Sequence, residues 1–229
     1  MRLTVTLVLV LAAAFATAAG VLAAPSPSAE LAAMQSAVGT EHSVRYISNI
    51  TAPGYKARTI SDVGPGKGIQ RTTVTVGGKT GPAVVRVVPK KGAYIKGTEF
   101  TMRAFFGFSP LQAAGYAGRW IFVPRATPAF KTLAKDATFG SVVADLFPTK
   151  NVSLVKTATQ IGVRGTIPHV AGTKTVLAPK QGKQLPAKAT TSFSNRPDKD
   201  VWTLSRWNEA VRVPVPAKWV PISVVAGGG

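Results

Sequence analysis

The sequence contains no cysteine. Disulfide bonds and thiolate metal sites are therefore excluded, and so is a lipid anchor attached to a cysteine sulfur. Burial of apolar side chains has to stabilise the fold without covalent cross-links.

Carboxylates and imidazoles are almost as scarce, with nine Asp and Glu residues and two histidines, His42 and His169. A hydrolase needs a positioned base, which is usually histidine, and neither histidine lies in a Gly-x-Ser-x-Gly or His-Glu-x-x-His motif. The carboxylates form no cluster except Asp198 and Asp200, which lie beside Pro197 and are interpreted as turn residues. The sequence predicts no catalytic residue, no metal site and no cofactor, so the protein is not expected to be an enzyme.

The N-terminus has the layout of a signal peptide. Arg2 precedes a long apolar run, and small residues at the −3 and −1 positions place the best cleavage site after Ala23. We predict a signal peptide over residues 1–23 and one domain over residues 24–229, which is long enough for a full-sized core. The run could also span a bilayer, so an uncleaved anchor is the alternative. In both cases the domain is expected to be secreted or held in the cell envelope.

Positive charge dominates the composition: 28 Lys and Arg residues face nine acidic ones, a net charge of +19 at pH 7. An excess of this size predicts contact with polyanions, which for an exported protein are anionic phospholipid headgroups, anionic glycolipids or cell-wall polymers. Nucleic acid is not predicted, because the aromatic side chains that could stack on bases are segregated from the lysines. The charge could also serve only to keep an apolar-rich domain soluble.

The residue pattern predicts a helix over 27–38 and a helical, aromatic-rich block over 97–148 whose helices cap one face of a sheet. Short runs rich in Val, Ile, Thr and Tyr predict strands on both sides of the block and one within it. The proline-rich segment 214–222 is predicted to be an edge strand or a wrapping tail. This order indicates one α+β domain with a single curled sheet. The predicted strands are 42–50, 55–63, 69–76, 83–88, 93–96, 118–123, 152–160, 162–167, 174–179, 189–193, 201–205 and 211–215.

Four pieces of sequence carry a family resemblance. A valine-rich strand at 84–88 is followed by 92–97, which contains Tyr-Ile-Lys, by 116–121, which contains Gly-Arg-Trp, and by an apolar helix after Thr138. In this order they resemble the LppX/LprA/LprG family of actinobacterial envelope lipoproteins, which are similar in fold to the carriers LolA and LolB. The corresponding parts of that family are three strands and a lid helix.

The resemblance implies an open antiparallel β half-barrel whose concave face, closed by helices, holds the acyl chains of a lipid or glycolipid and moves it through the envelope. Such a function needs no catalytic residue. The family carries a lipidated cysteine after its signal peptide, which this chain lacks. The protein is therefore expected either to be released as a soluble carrier or to keep its N-terminal helix as an anchor.

Alternation along the strands predicts which side chains would line such a cavity. If Arg86 faces solvent, Val85 and Val87 face inward, and if Arg119 faces solvent, its neighbours at 120 and 122 face inward. Three lysines are expected near the lipid headgroup: Lys90, Lys91 and Lys96. The predicted cavity residues are Val85, Val87, Ile95, Phe105, Phe106, Trp120, Phe122, Val142, Val143 and Leu146.

The leading hypothesis is an exported, non-enzymatic carrier or binding protein for acylated lipid or glycolipid, with an anionic membrane surface as a second partner. The alternative is a secreted module with a filled core that binds anionic cell-wall polymers through its surface charge. Polymer binding of that kind would weaken with added salt. A cavity wall and a filled core have the same apolar composition, so the sequence leaves both hypotheses open.

Overall fold

The computed structural model describes residues 25–168 and 171–227. The predicted signal peptide at residues 1–23 lies outside these ranges, as does His169. Within them, no helix is both long enough and apolar enough to cross a membrane.

Within the described ranges, twelve strands form a single sheet in the order β12-β6-β5-β4-β3-β2-β1-β11-β10-β9-β8-β7. All neighbouring strands are antiparallel except β12 and β6. The edge strands β12 and β7 do not pair with each other, so the predicted open half-barrel of an α+β fold is confirmed. The strands are β1 (Val44–Ala52), β2 (Tyr55–Gly64), β3 (Lys67–Val76), β4 (Lys79–Val88), β5 (Gly92–Gly97), β6 (Ile121–Pro124), β7 (Lys150–Lys156), β8 (Gln160–Thr166), β9 (Gly172–Pro179), β10 (Lys188–Phe193), β11 (Lys199–Ser205) and β12 (Val220–Pro221).

The helices begin where the sequence supplies caps. Ser109 and Gln112 form a reciprocal capping box at one of them, and Ser26 and Thr127 each cap a helix that has proline in its first turn. These caps satisfy backbone N–H groups that have no partner inside the helix. The helices are α1 (Pro27–Gly39), α2 (Glu99–Ala104), α3 (Pro110–Tyr116), α4 (Pro128–Lys135), α5 (Phe139–Ala144) and α6 (Ile222–Gly227).

Two strand predictions are wrong. The run 152–160 is not one strand, because β7 ends at Lys156 and the backbone N–H of Thr157 donates to the carbonyl of Gln160 in a turn. The segment 211–215 is not a strand, because Pro214 has no N–H to donate to a sheet ladder. The predicted tail at 214–222 is confirmed, since β12 pairs with β6 at the sheet edge.

The sheet has one face covered by helices and one outer face. Residues paired across antiparallel strands lie on the same face, so each register row belongs to one side. We call these sides the covered face and the outer face. One row of the covered face is Tyr46, Ser61, Gln70, Val85, Ile95 and Ile121. The adjacent row of the outer face is Arg45, Asp62, Ile69, Arg86, Tyr94 and Phe122.

The core on the covered face consists of two apolar clusters. The α1/α5 cluster packs Met34, Val142 and Leu146 against strands β1, β2 and β8–β11. The α2–α4 cluster packs Met102 and Ile121, among others, between strands β4–β6 and the helices above them. Complete burial of a Met, Leu or Ile side chain stabilises the folded state by about 1.5–3 kcal/mol. The two clusters therefore replace the missing disulfides.

The lid, which we define as residues 128–147, is hydrogen-bonded to the sheet at two carbonyls. Tyr46 Oη donates to the carbonyl of Asp136 over 2.6 Å. Gln70 Nε2 donates both to Tyr46 Oη over 2.8 Å and to the same carbonyl over 2.6 Å. Lys174 Nζ donates to the carbonyl of Asp145. Helix α5 is thereby held at both ends by polar side chains of the covered face.

The chain after β11 crosses the outer face as a strap, residues 206–219. Near its start, the side-chain oxygen of Asn208 accepts the backbone N–H of His42 over 2.7 Å. Further along, Arg86 Nη1 donates to the carbonyl of Pro214 over 3.0 Å. At its end the ring of Trp219 lies 4.9 Å from that of Phe122. The strap therefore spans the sheet from β1 to β6.

A substitution at Gly68 tests how closely the backbone of the lid approaches strand β3. A Cβ at this position on β3 would overlap the carbonyl oxygen of Ala137, which lies between α4 and α5. We expect Gly68→Ala to lower the free energy of unfolding by about 1–3 kcal/mol, because the backbone of the lid has to move. Gly115→Ala in α3 is the control, because its added Cβ meets nothing within 4 Å. Equal urea denaturation midpoints for the two variants would contradict the close approach.

Removing the hydroxyl of Tyr46 tests the hydrogen bonds between the sheet and the lid. Burial raises the pKa of Tyr46 from 10.0 to about 12. Because the folded-state pKa is above the unfolded one, the stability that the neutral phenol supplies is complete below about pH 10 and is lost as the pH rises towards 12. Tyr46→Phe should lower the free energy of unfolding by about 1–2 kcal/mol at neutral pH.

The difference between wild type and Tyr46→Phe should stay constant up to about pH 10 and shrink between about pH 10 and 12. Denaturant unfolding at a series of pH values measures it. A difference that stays constant up to pH 12 would show that Tyr46 is not buried as a neutral donor.

Candidate functional site

A pocket of about 320 Å³ opens at one end of the interface between sheet and helices. Strand β4 and the β4–β5 turn form its floor, and α4 with the start of α5 forms its roof. The volume lies at the lower end of the range of small-molecule sites, about 300–1,000 Å³. Its lining residues are Gly66, Val87, Val88, Pro89, Lys90, Arg125, Phe130, Ala134 and Thr138.

The pocket combines an apolar wall with a cationic rim. Val87 is 1% exposed and belongs to the α2–α4 cluster, against which Phe130 and Ala134 pack. Lys90 and Arg125 provide positive charge, and the Arg125 guanidinium lies 5.8 Å from the centroid of the Phe130 ring. An apolar chain with a polar or anionic end matches this arrangement.

The structure places Val85, Val87 and Ile95 together on the covered face, buried in the α2–α4 cluster. Of these three, Val87 reaches the 320 Å³ pocket.

The predicted inward orientation of Trp120 and Phe122 is wrong. The β6 strand begins only at Ile121, and Gly118 before it has φ of +72°, so alternation cannot be counted from Arg119. Ile121 and Val123 are the buried residues of β6. Phe122 instead lies in the outer row.

Trp120 belongs to a cationic cluster on the outer side. The guanidinium of Arg86 lies 4.3 Å and the Nζ of Lys96 lies 5.8 Å from the centroid of the Trp120 ring. The predicted headgroup residue Lys96 is therefore separated from the pocket by the sheet. Lys90 lines the pocket, and Lys91 is an exposed residue of the same turn.

Of the five predicted cavity residues in the helical block 97–148, four belong to or pack against the two clusters and one does not. Val142 and Leu146 are buried in the α1/α5 cluster, and Val143 packs against it. Phe106 packs against the α2–α4 cluster, whereas Phe105 is 39% exposed with its ring edge-on to Phe106 at 5.0 Å. They do not form one continuous wall.

A polar strip between strands β1 and β9–β11 was missed by the sequence analysis. Asp200 was interpreted as a turn residue, but it lies in β11, where Ser48 Oγ donates to it over 2.8 Å and Trp202 Nε1 over 2.6 Å. Lys174 occupies the same register row two strands away. Burial raises the pKa of Asp200 and lowers that of Lys174. Charged residues at inward positions of otherwise alternating strands are the signal that could have revealed this strip.

A larger groove of about 780 Å³ lies along the outer side of α2. Phe100 and Phe108 supply apolar surface, and Lys79 and Arg103 supply positive charge. On the neighbouring helix α3, Leu111 is 69% exposed. Within the described ranges, no group of three or more His, Asp or Glu side chains is arranged to hold a metal ion.

No protein-family model matches the sequence, and no curated protein matches it significantly. Solved structures do match. LprF from Mycobacterium bovis gives a TM-score of 0.50 at 18% identity, covering 85% of this chain and 99% of that one. The lipoprotein LppX from Mycobacterium tuberculosis gives a TM-score of 0.45 at 14% identity, covering 82% and 98%.

At this level of identity the likeness to LprF concerns the fold. It extends over nearly all of that chain and over most of the described residues here. The open sheet with helices on one face is the architecture that the sequence resemblance predicted. The chain therefore has an LppX/LprA/LprG-like fold.

Proposed function

We propose that this protein is an exported carrier that binds an acylated lipid or glycolipid between the covered face and the lid. The observation that carries the proposal is the 320 Å³ pocket, where the apolar wall at Val87 and Phe130 meets the cations Lys90 and Arg125. A binding protein of this kind needs no catalytic residue. The fold shared with LprF supports the proposal.

The pocket borders the α2–α4 cluster, to which its lining residue Val87 belongs and against which several aromatic side chains pack. Phe106, Tyr116 and Phe130 are only partly buried and pack against the α2–α4 cluster. An acyl chain that enters beside Phe130 gains about 0.8 kcal/mol for each buried methylene. A chain longer than the pocket requires α4 to move away from β4. The polar contacts between the lid and the sheet are hydrogen bonds to two carbonyls, and α5 is held in addition by the burial of Val142 and Leu146 in the α1/α5 cluster.

The cations at the rim favour a headgroup with negative charge. Lys90 has a backbone φ of +61°, in the tight β4–β5 turn. Arg125 follows β6 and faces the same opening. A phosphate, a sulfate or a carboxylate at the end of a bound lipid would accept hydrogen bonds from both side chains.

The groove beside α2 supports a membrane as the source of the lipid. Leu111 and Phe105 are exposed apolar side chains that follow the groove residues Pro110 and Ala104 in the chain. The charged residues of the groove are Lys79, Arg103 and Glu99. Apolar residues combined with cations are typical of surfaces that lie at the interface of an anionic bilayer. The carrier would load its lipid at such a surface.

Filling the pocket tests where the lipid binds. Ala134→Trp places an indole at the pocket lining, whereas Ala114→Trp adds the same side chain on the exposed surface of α3. In native mass spectrometry of protein purified from its own envelope, we expect near-stoichiometric lipid on wild type and Ala114→Trp, and at least about tenfold less on Ala134→Trp.

The proposal would be contradicted if the wild-type protein is purified without lipid and also takes up none when it is incubated with envelope lipids. Salt-sensitive binding to anionic cell-wall polymer in that case would favour the wall-binding module instead. Thermal unfolding of Ala134→Trp is the control for folding. If its melting temperature equals that of wild type, a loss of lipid reflects the filled pocket.

Charge removal at the rim tests the headgroup contact. Lys90→Asn tolerates the positive φ and removes one charge, and Lys91→Asn removes an equal charge from the same turn outside the pocket lining. We expect Lys90→Asn to weaken binding of an anionic lipid about tenfold and Lys91→Asn to change it little. Displacement of a fluorescent fatty acid measures both. Equal effects of the two substitutions would indicate unspecific attraction by the net charge.

A further inference from the structure

A second pocket, of about 170 Å³, lies on the outer face between the strap and strands β1–β3. The sheet separates it from the lipid pocket proposed above. Its charged lining contains four guanidinium groups and two carboxylates: Arg45, Arg71, Arg206, Arg212, Asp62 and Glu209.

Both carboxylates are already occupied by arginines. Asp62 accepts two hydrogen bonds from Arg45, of 2.6 and 2.9 Å, and lies 3.9 Å from Arg71. Glu209 lies 3.6 Å from Arg206. Among the described residues, Arg212 forms no salt bridge. The pocket therefore keeps an excess of two positive charges.

The positive excess continues along the outer row to Arg86. The Nε of Arg86 is buried and has no hydrogen-bond partner among the described residues. Burial, and the positive charge of Arg71 near it, lower the pKa of Arg86. A buried donor without a partner costs stability, and so do adjacent like charges. Arg86 does not line the pocket, but Arg71 does, so an anion bound beside Arg71 would reduce the repulsion between these like charges.

The start of the strap is a built turn that contains one of the four arginines, Arg206. Arg206 and Asn208 both have positive φ, of +52° and +63°. The side chain of Asn208 accepts the N–H of His42, and its backbone N–H donates to the carbonyl of Ser43 over 3.0 Å. Such strained residues persist only where surrounding contacts hold them. Arg206 is thus presented to the pocket from a defined turn, and Arg212 lines the pocket from further along the strap.

We propose that this pocket binds a phosphate group, either as free phosphate or as the headgroup of a phospholipid. A carboxylate matches one guanidinium fork, whereas a phosphate presents oxygens in several directions and can accept from several forks. Arg71 approaches from the sheet, and Arg206 and Arg212 approach from the strap. The site is independent of lipid uptake under the lid.

Isothermal titration of the purified protein with inorganic phosphate at fixed ionic strength tests the site. Arg212→Gln and Arg71→Gln each remove a lining charge, and Arg58→Gln removes an exposed charge from β2 outside the lining. We expect saturable binding to wild type and Arg58→Gln, and about tenfold or more weaker binding to the two lining variants. Thermal unfolding of each variant checks the fold, and Arg212 lies on the strap, where its loss leaves the sheet ladder intact.

A parallel measurement with vesicles of phosphatidylcholine containing phosphatidylglycerol distinguishes the two sources of phosphate. Vesicle binding that falls in Arg212→Gln but not in Arg58→Gln identifies a lipid headgroup. Phosphate binding that depends on Arg212, with vesicle binding unchanged, identifies free phosphate. Equal binding of phosphate by all four proteins, or no saturable binding to wild type, would overturn the proposal. In native mass spectrometry, Arg212→Gln should carry as much lipid as wild type, unlike Ala134→Trp. This result would separate the phosphate site from the lipid pocket.

Discussion

The lid meets the sheet at a shared acceptor, the carbonyl oxygen of Asp136. Tyr46 and Gln70 both donate to it from the covered face, at the boundary between the two apolar clusters. In a chain without disulfides, this polar contact fixes where the connection between α4 and α5 crosses the sheet, and apolar packing then places the helices on each side. Each such bond contributes only about 0.5–1.5 kcal/mol, so these bonds define the position of the lid, while burial of Val142 and Leu146 supplies more of its stability.

The strap solves the corresponding problem on the outer face. An open sheet has two free edges, and nothing in its ladder fixes its curvature. The strap ties the Asn208 turn beside β1 to the ring of Phe122 on β6, and β12 then covers the β6 edge. Because α6 follows directly, Val225 returns to the covered face and joins the α2–α4 cluster. One C-terminal segment thus couples the outer face, one edge and the core.

The fold could be predicted from the sequence to a large extent, because turn residues and helix caps are local signals. Gly77 and Gly78, both with positive φ, form the two-residue hairpin between β3 and β4 that their sequence favours. The candidate site could be predicted only in part. Trp120 was assigned to the wrong face because alternation has a meaning only inside a strand, and β6 begins one residue later. Asp200 was assigned to a turn because a buried carboxylate depends on donors, here Ser48 and Trp202, that come from β1 and from its own strand through folding.

The distribution of charge connects the two proposed sites. The lid pocket has two rim cations over an apolar wall, whereas the outer pocket has four guanidiniums and two carboxylates in a polar wall. An amphiphile fits the lid pocket because its acyl chain can pack against the apolar wall. The outer pocket offers an acyl chain little apolar surface and favours a small anion. Net positive charge alone would attract polyanions to every part of the surface in the same way. Specific binding at the two pockets would instead be saturable, and different substitutions would abolish it at each pocket. This behaviour distinguishes a carrier with two sites from a domain that attracts anions only through its net charge.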